Sequence, residues 1–368
     1  MKLPADHVTG RASVPLKIVI LGLSITSSWG NGHATTYRAL VRALVERGHD
    51  LLFLERDVPW YAANRDLPQP SYGRTVLYQD LAELRARFGE EIRLADLVIV
   101  GSYVPEGVEM GTWVVATAQG VTAFYDIDTP VTLAKLGAGD YEYLTPALIP
   151  AYHLYLSFSG GPALETLESD FDAQMAQPLY CSVDPALYYP EEQPVVWTLG
   201  YMGTYSPDRQ PGLEERLLAP ARANPHERFV VAGPNFPDTG NWPSNLQYIH
   251  HLPPAHHRSF YCQQRFTLNL TRADMARLGY SPSVRLFEAS ACGVPIISDV
   301  WAGIETMYEP EREILLARSR TDVLAYLYDL TMAERQAIGE RARQRTLATH
   351  TAAHRAQQLE EYFASINR

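Results

Sequence analysis

The chain has 368 residues, which places two or three domains in it. Apolar residues make up 46% and charged residues 20%, an ordinary globular balance that excludes a wholly disordered chain. Acidic residues outnumber basic ones by 42 to 31, a formal charge of -11, which argues against nucleic acid or an anionic membrane as partner but leaves room for a small anion held by a few concentrated cations.

The first fifteen residues are polar, carry Pro4, Gly10 and Pro15 and lack an apolar stretch, so they read as a loose tail and not a signal peptide. No apolar run approaches the length of a membrane span. Cys181, Cys262 and Cys292 form no close pair along the chain, which argues against zinc knuckles and redox motifs. So few cysteines in so long a chain suit a reducing compartment, and the expected location is cytoplasmic.

After the tail, Lys17 to Leu23 is a β-branched apolar run that fits a strand buried on both faces. A loop, Ser24 to Gly32, leads to His33 to Arg47, where Tyr37, Leu40, Val41, Leu44 and Val45 recur at helical spacing. Gly48 is a natural helix stop, and Leu51 to Leu54 is the next strand. Further strands are expected at Ala95 to Val100, Val121 to Tyr125 and Leu154 to Phe158, with helical stretches between them such as Asp80 to Phe88. A second series follows: Val195 to Tyr201, Phe229 to Ala232, Leu246 to Ile249, Phe266 to Leu270 and Val294 to Ser298. Strands alternating with helices predict doubly wound parallel sheets. The proline- and acid-rich run Ser182 to Pro194 is the best boundary between the two halves. Thr331 to Arg368 is helical with a break near Thr349 and His350; its last part either packs on its own domain or crosses back to the first. The expected organisation is a tail over 1–15, a first domain over 16–190, a second over 191–348 and a closing helix over 349–368.

In open parallel sheets ligands bind beyond the carboxyl ends of the strands, so informative residues lie just after strands. Gly30, Asn31, Gly32 and His33 follow the first strand, where glycines admit a ligand and a helix start offers free N–H groups. The third glycine of a dinucleotide fingerprint and the Gly-Lys-Ser/Thr of a P-loop are both missing, and a tight turn is the competing reading. Asp126 and Asp128 follow Val121 to Tyr125. They suit a divalent cation or a general base, and Asp128 before Thr129-Pro130 equally suits a helix N-cap. Arg285 and Glu288 share one face of a helix starting near Ser283. The guanidinium suits a phosphate oxygen and the carboxylate two adjacent sugar hydroxyls, against the plain alternative of a surface ion pair. Gly203 and Thr204 open a small-residue loop that ends in Arg209, a candidate pyrophosphate site. Pro234, Asn235 and Phe236 follow a strand and could flank a base. His250, His251, His256 and His257 lack ligand spacing on one helix face, so metal binding is not expected there.

Taken together these pieces resemble a GT-B glycosyltransferase, and more narrowly a group-1 transferase of the spore-maturation CgeB type. LNLTRADM, GYSPSVRLFEASACG and PIISD between Phe266 and Asp299 stand in the family's order, and Gly303-Ile304-Glu305, VDPALYYP at Val183 to Pro190 and the closing His350-Thr351 with His354-Arg355-Ala356 extend the match. Gly30 to Asp50 is similar to the loop, helix and Arg-Gly-His ending of GT-B amino domains.

The resemblance implies two Rossmann-like domains facing across a cleft, with a nucleoside-diphosphate sugar, UDP- or GDP-linked, on the second. Glu288 would hold the ribose. Arg285, Arg209 and Arg272 would serve the donor side together with Gly203, Thr204 and Ser283. Asn235 and the backbone near His251 and Leu252 would frame the base. Gly30, Asn31, Gly32, His33, Asp126 and Asp128 would approach from the side of a small-molecule or glycan acceptor, with Asp128 or His33 as base. No tightly bound cofactor and no metal are expected. Many relatives carry a second glutamate where this chain has Tyr280, which leaves the sugar and the stereochemical outcome open. The rivals are a metal-dependent transferase with one nucleotide domain, a sugar-nucleotide epimerase of the same architecture, and a nucleotide-sugar-binding protein without turnover.

Overall fold

The computed structural model describes residues 14–29 and 32–366. Seven strands form the first sheet: β1 (Lys17–Gly22), β2 (Asp50–Arg56), β3 (Arg74–Tyr78), β4 (Leu97–Gly101), β5 (Val121–Asp126), β6 (Leu154–Ser157) and β7 (Ala176–Pro178). They are all parallel, in the order β3-β2-β1-β4-β5-β6-β7. Six form the second: β8 (Trp197–Met202), β9 (Phe229–Ala232), β10 (Leu246–Ile249), β11 (Gln264–Asn269), β12 (Ile296–Ser298) and β13 (Leu315–Leu316). Their order, β10-β9-β8-β11-β12-β13, repeats the doubly wound plan, again all parallel. The order in which strands are added reverses between β1 and β4 and between β8 and β11, so each sheet opens a crevice there.

Helices cover both sheet faces, which is why β4 and β5 are buried at every residue. The expected first helix is α1 (His33–Glu46), ended by Gly48 at φ 95°, whose N–H reaches the Val45 carbonyl at 2.9 Å. The stretch after Asp80 is longer than expected, α2 (Leu81–Leu94), and Asp80 caps it by accepting from the Glu83 N–H at 2.8 Å. α3 (Thr129–Gly137) follows β5; α4 (His257–Cys262) and α5 (Val284–Ala291) flank β11. The C-terminal stretch breaks at His350 into α6 (Met332–Thr349) and α7 (Ala352–Ile366).

Of its two possible placements, α7 takes the one against the first domain. Glu360 meets Arg47 at 2.6 Å and the His49 ring at 2.8 Å, and the Tyr362 hydroxyl donates to the Pro178 carbonyl at 3.0 Å. Where α7 begins, Thr351 pairs with Val183 of the other interdomain segment: Val183 donates to the His350 carbonyl at 3.1 Å, and Ala352 donates to the Val183 carbonyl at 2.9 Å. One apolar core runs from α1 through Val183, Tyr188, Ala356 and Leu359 to Leu286 and Phe287 of the second domain. Each of the large aliphatic and phenyl side chains among them contributes about 1.5–3 kcal/mol on burial, so the two halves share their core as well as their chain. Among the described residues no helix is long and apolar enough to cross a membrane.

Candidate functional site

The carboxyl ends of the two sheets face each other across a cleft with a cavity volume of about 200 Å³. Ser28, Gly32 and Thr35 line it from the first domain; Gly203, Thr204, Leu252, Arg285 and Glu288 line it from the second. Gly30 and Asn31 lie outside the described residues.

Arg285 and Glu288 are 7% and 2% exposed, so they are not a surface ion pair. Arg285 stands in the first turn of α5. Its Nε donates to the Met202 carbonyl at 2.6 Å, its Nη1 to Asn269 Oδ1 at 2.9 Å, and its guanidinium lies 4.9 Å from the centre of the Tyr201 ring. Those contacts fix the fork and aim Nη2 at Gly203, where a Cβ would come within 2.8 Å of it. Only glycine leaves that approach open. One turn on, Glu288 Oε2 accepts from the Tyr261 hydroxyl at 2.9 Å, and the Tyr188 hydroxyl meets the His257 ring at 3.3 Å. Burial, with Glu288 beside them, pushes both phenols far above their ordinary range, so they keep their protons.

The other donor-side candidates divide. Arg209 donates from Nη2 to the Thr204 carbonyl at 2.6 Å; burial lowers its pKa, and the nearby Arg285 and Arg272 cations add to that. Arg285 lines the cleft, whereas Arg209 lines an adjoining pocket with Asp208, Arg216, Thr271 and Asp299. Among the described residues Arg209 Nε, which is buried, has no hydrogen-bond partner. Ser283 occupies the N-cap of α5 but turns its hydroxyl to Asn269 Oδ1 at 2.8 Å, making it a support for the Arg285 partner. Leu252 lines the cleft while its carbonyl is held by the His257 ring at 3.1 Å. Asn235 sits in the left-handed region, φ 71°, and is exposed outside the cleft lining; Gly233 and Pro234 take the wall instead.

On the first-domain side the two aspartates part company. Asp126 is fully buried, with Oδ2 accepting from Tyr155 at 2.6 Å and Oδ1 from Thr132 at 2.7 Å. It faces the interior, which corrects its reading as a chelating or catalytic partner of Asp128. Desolvation raises its pKa to about 6. Asp128 holds the N-cap position of α3 without making the cap bond. Its Oδ2 receives Arg272 Nη1 at 3.1 Å and the Tyr103 hydroxyl at 3.3 Å, and burial raises its pKa. The Asp128–Arg272 ion pair joins the two domains. His33 packs its ring at 5.5 Å from Tyr103, edge to face; its Nδ1 is buried without a partner among the described residues, and burial lowers its pKa to about 4. Tyr103 thus links both candidate bases. It sits at φ 62° two residues past β4 and was missed by the sequence reading, although the rule of looking just after strands points to it. Trp29 and His251 close the cleft mouth, ring centres 4.5 Å apart. Among the described residues no group of three His, Cys, Asp or Glu side chains could hold a metal ion.

Tyr280, where the resemblance led to the expectation of another glutamate, adopts φ 48° and lies between Gly161 and Gly303, both at positive φ. Its carbonyl accepts from the Gly160 N–H at 2.9 Å. The ring fills space that a Cβ at either glycine would occupy.

Residues 209–361, which include Arg209, Arg272, Arg285 and Glu288, match a family model described as glycosyl transferase-like. Sucrose-phosphate synthase from Thermosynechococcus elongatus superposes with a TM-score of 0.67 over 95% of this chain and 99% of that chain, at 15% identity. HepE from Anabaena in complex with UDP gives 0.70 over 95% and 100%, at 13% identity. An α-glucosyltransferase in complex with UDP-glucose and DNA containing an abasic site gives 0.71 over 96% and 100%, at 12% identity. The fold is GT-B. No curated protein matches the chain by sequence. In this GT-B chain the matched segment carries α5 and its arginine and glutamate, and the unmatched part carries the cluster of His33, Tyr103 and Asp128, which lies outside the cleft lining.

Proposed function

We propose that this chain is a glycosyltransferase of the CgeB-like type that moves a hexose from a UDP- or GDP-sugar to a hydroxyl of a small-molecule or glycan acceptor, in the cytoplasm and without a metal ion. The observation that carries the reading is the pair on α5: a buried, anchored guanidinium beside Gly203 and a buried carboxylate one turn on, both lining the cleft. Glu288 accepts from the two ribose hydroxyls. Arg285 and Arg209, with the N-terminus of α5, carry the negative charge that gathers on the diphosphate as its bond to the sugar breaks. These fixed cations take the place a metal would otherwise fill. HepE and the α-glucosyltransferase have been seen with UDP or UDP-glucose, so uridine nucleotides are the first to test.

The acceptor enters from the side of the His33–Tyr103–Asp128 cluster. As its oxygen bonds to the anomeric carbon, its proton passes to His33, which burial keeps unprotonated at neutral pH, or to Asp128. Release of nucleoside diphosphate from a panel of UDP- and GDP-sugars, with and without EDTA, tests the reading. Turnover that survives EDTA is the expected result. Donor binding without release across an acceptor panel would refute transfer, and loss of turnover in EDTA would refute metal independence.

A further inference from the structure

A second cavity, of about 300 Å³, lies between the domains beside the cleft. That volume reaches the roughly 300–1,000 Å³ of small-molecule sites. The face of α1 that carries Arg38, Ala39 and Arg42 forms one side of it. Asp184 and Leu187 of the interdomain segment form a second, and Pro254, Ala255 and Arg258 of the second domain a third. Thr35 and Pro254 line both this pocket and the cleft; Arg285 and Glu288 line the cleft alone.

In a chain of net charge -11 the charge of this lining is reversed, with Arg38, Arg42 and Arg258 against Asp66 and Asp184. Both carboxylates are already satisfied. Asp66 takes the two terminal nitrogens of Arg38 at 2.8 Å and the Ser28 N–H at 2.8 Å. Asp184 takes Arg42 Nη1 at 2.7 Å and the Ala186 N–H at 2.9 Å. Arg258 is the cation left over. Its contacts to the Leu187 carbonyl and to Glu191, which stands outside the lining, are both long at 3.4 Å. Its Nε is buried with no hydrogen-bond partner among the described residues. Apolar surface surrounds these charges: Leu187 is 49% exposed, Ala255 is exposed, and Leu67, Tyr72 and Pro254 are half-buried. An apolar body laid there would take that surface out of water.

We propose that this interdomain pocket binds a small amphiphilic anion, with a flat apolar body against Tyr72 and Leu187 and a carboxylate that accepts from Arg258. Such an occupant touches α1, the interdomain segment and the approach to α4 at once, and so ties the two domains together. The inference does not depend on what the cleft binds.

The test titrates naphthoate into the full chain, followed by ligand-observed NMR, with naphthylmethylammonium as a cation of the same shape. Naphthoate should bind saturably with a Kd of about 1 mM or tighter, ordinary for its size. The ammonium should bind at least about tenfold more weakly. Leu187→Glu puts a negative charge on the rim and should weaken naphthoate about fivefold, whereas Leu187→Lys should tighten it about twofold. Ala255→Trp should block the pocket. Both positions are exposed, and unchanged thermal melts confirm that the variants are folded. Equal binding of the two compounds, or no saturable binding of naphthoate, would overturn the proposal. Naphthoate binding unchanged within about twofold in both Leu187→Glu and Ala255→Trp would overturn it too, by placing the compound elsewhere.

Discussion

Glu288→Gln is the sharpest probe of the cleft. The wild-type carboxylate is 2% exposed and already takes the Tyr261 hydroxyl at 2.9 Å on Oε2. Alanine would strand that phenol in the interior, at about 1–3 kcal/mol, and confuse folding with binding. Glutamine keeps the volume and one acceptor oxygen, but its amide nitrogen cannot accept. One ribose hydroxyl loses a charge-assisted bond, worth about 1.5–3 kcal/mol. That predicts a Kd for UDP or GDP weakened roughly 10- to 150-fold. Isothermal titration calorimetry measures it, with a thermal melt of the free protein to show that the fold is intact. A folded variant that binds both nucleotides within twofold of wild type would show that the carboxylate does not hold the ribose.

Three other outcomes follow from the same geometry. The folded Asp126 keeps its proton up to about pH 6 against an ordinary value of 3.8, so the native state binds more protons between those values and stability falls as pH rises through them, by about 3 kcal/mol; urea unfolding of Asp126→Asn should lack that slope, and parallel pH profiles would contradict it. Gly303→Ala places a Cβ against the Tyr280 ring at φ 93° and should destabilise by about 1–3 kcal/mol, part of it recovered when Tyr280→Ala is added; equal melting of single and double variants would separate the strain from the contact. Of His33→Gln and Asp128→Asn, the one that removes the base should lower kcat by about 10²–10⁴-fold at unchanged donor KM, and two variants within tenfold of wild type would exclude both as base.

The strands were legible where burial on both faces erases alternation, as in KIVILG and LVIVG. The sequence reading missed β3, β7 and β13, for related reasons. β3 and β7 are sheet edges, the first with three half-buried residues and the second three residues long with a proline; β13 has two residues. Arg285 and Glu288 were legible because one helix turn sets their relation. The Asp128–Arg272 pair was not, because 144 residues separate its members and only the docking of two domains brings them together. Asp126 misled because a carboxylate just past a strand reads the same whether it turns toward the ligand or toward Tyr155 and Thr132.

The chain passes between the two halves twice, and Val183 and Thr351 bind those two passages side by side. A single tether would let one half swivel freely against the other. Two laced together behave as the spine of a book: the covers can swing toward and away from each other, while sliding and twisting are resisted. Any opening that admits a donor and releases its product must then run along one path, with Asp128–Arg272 and Trp29–His251 meeting at the free edges.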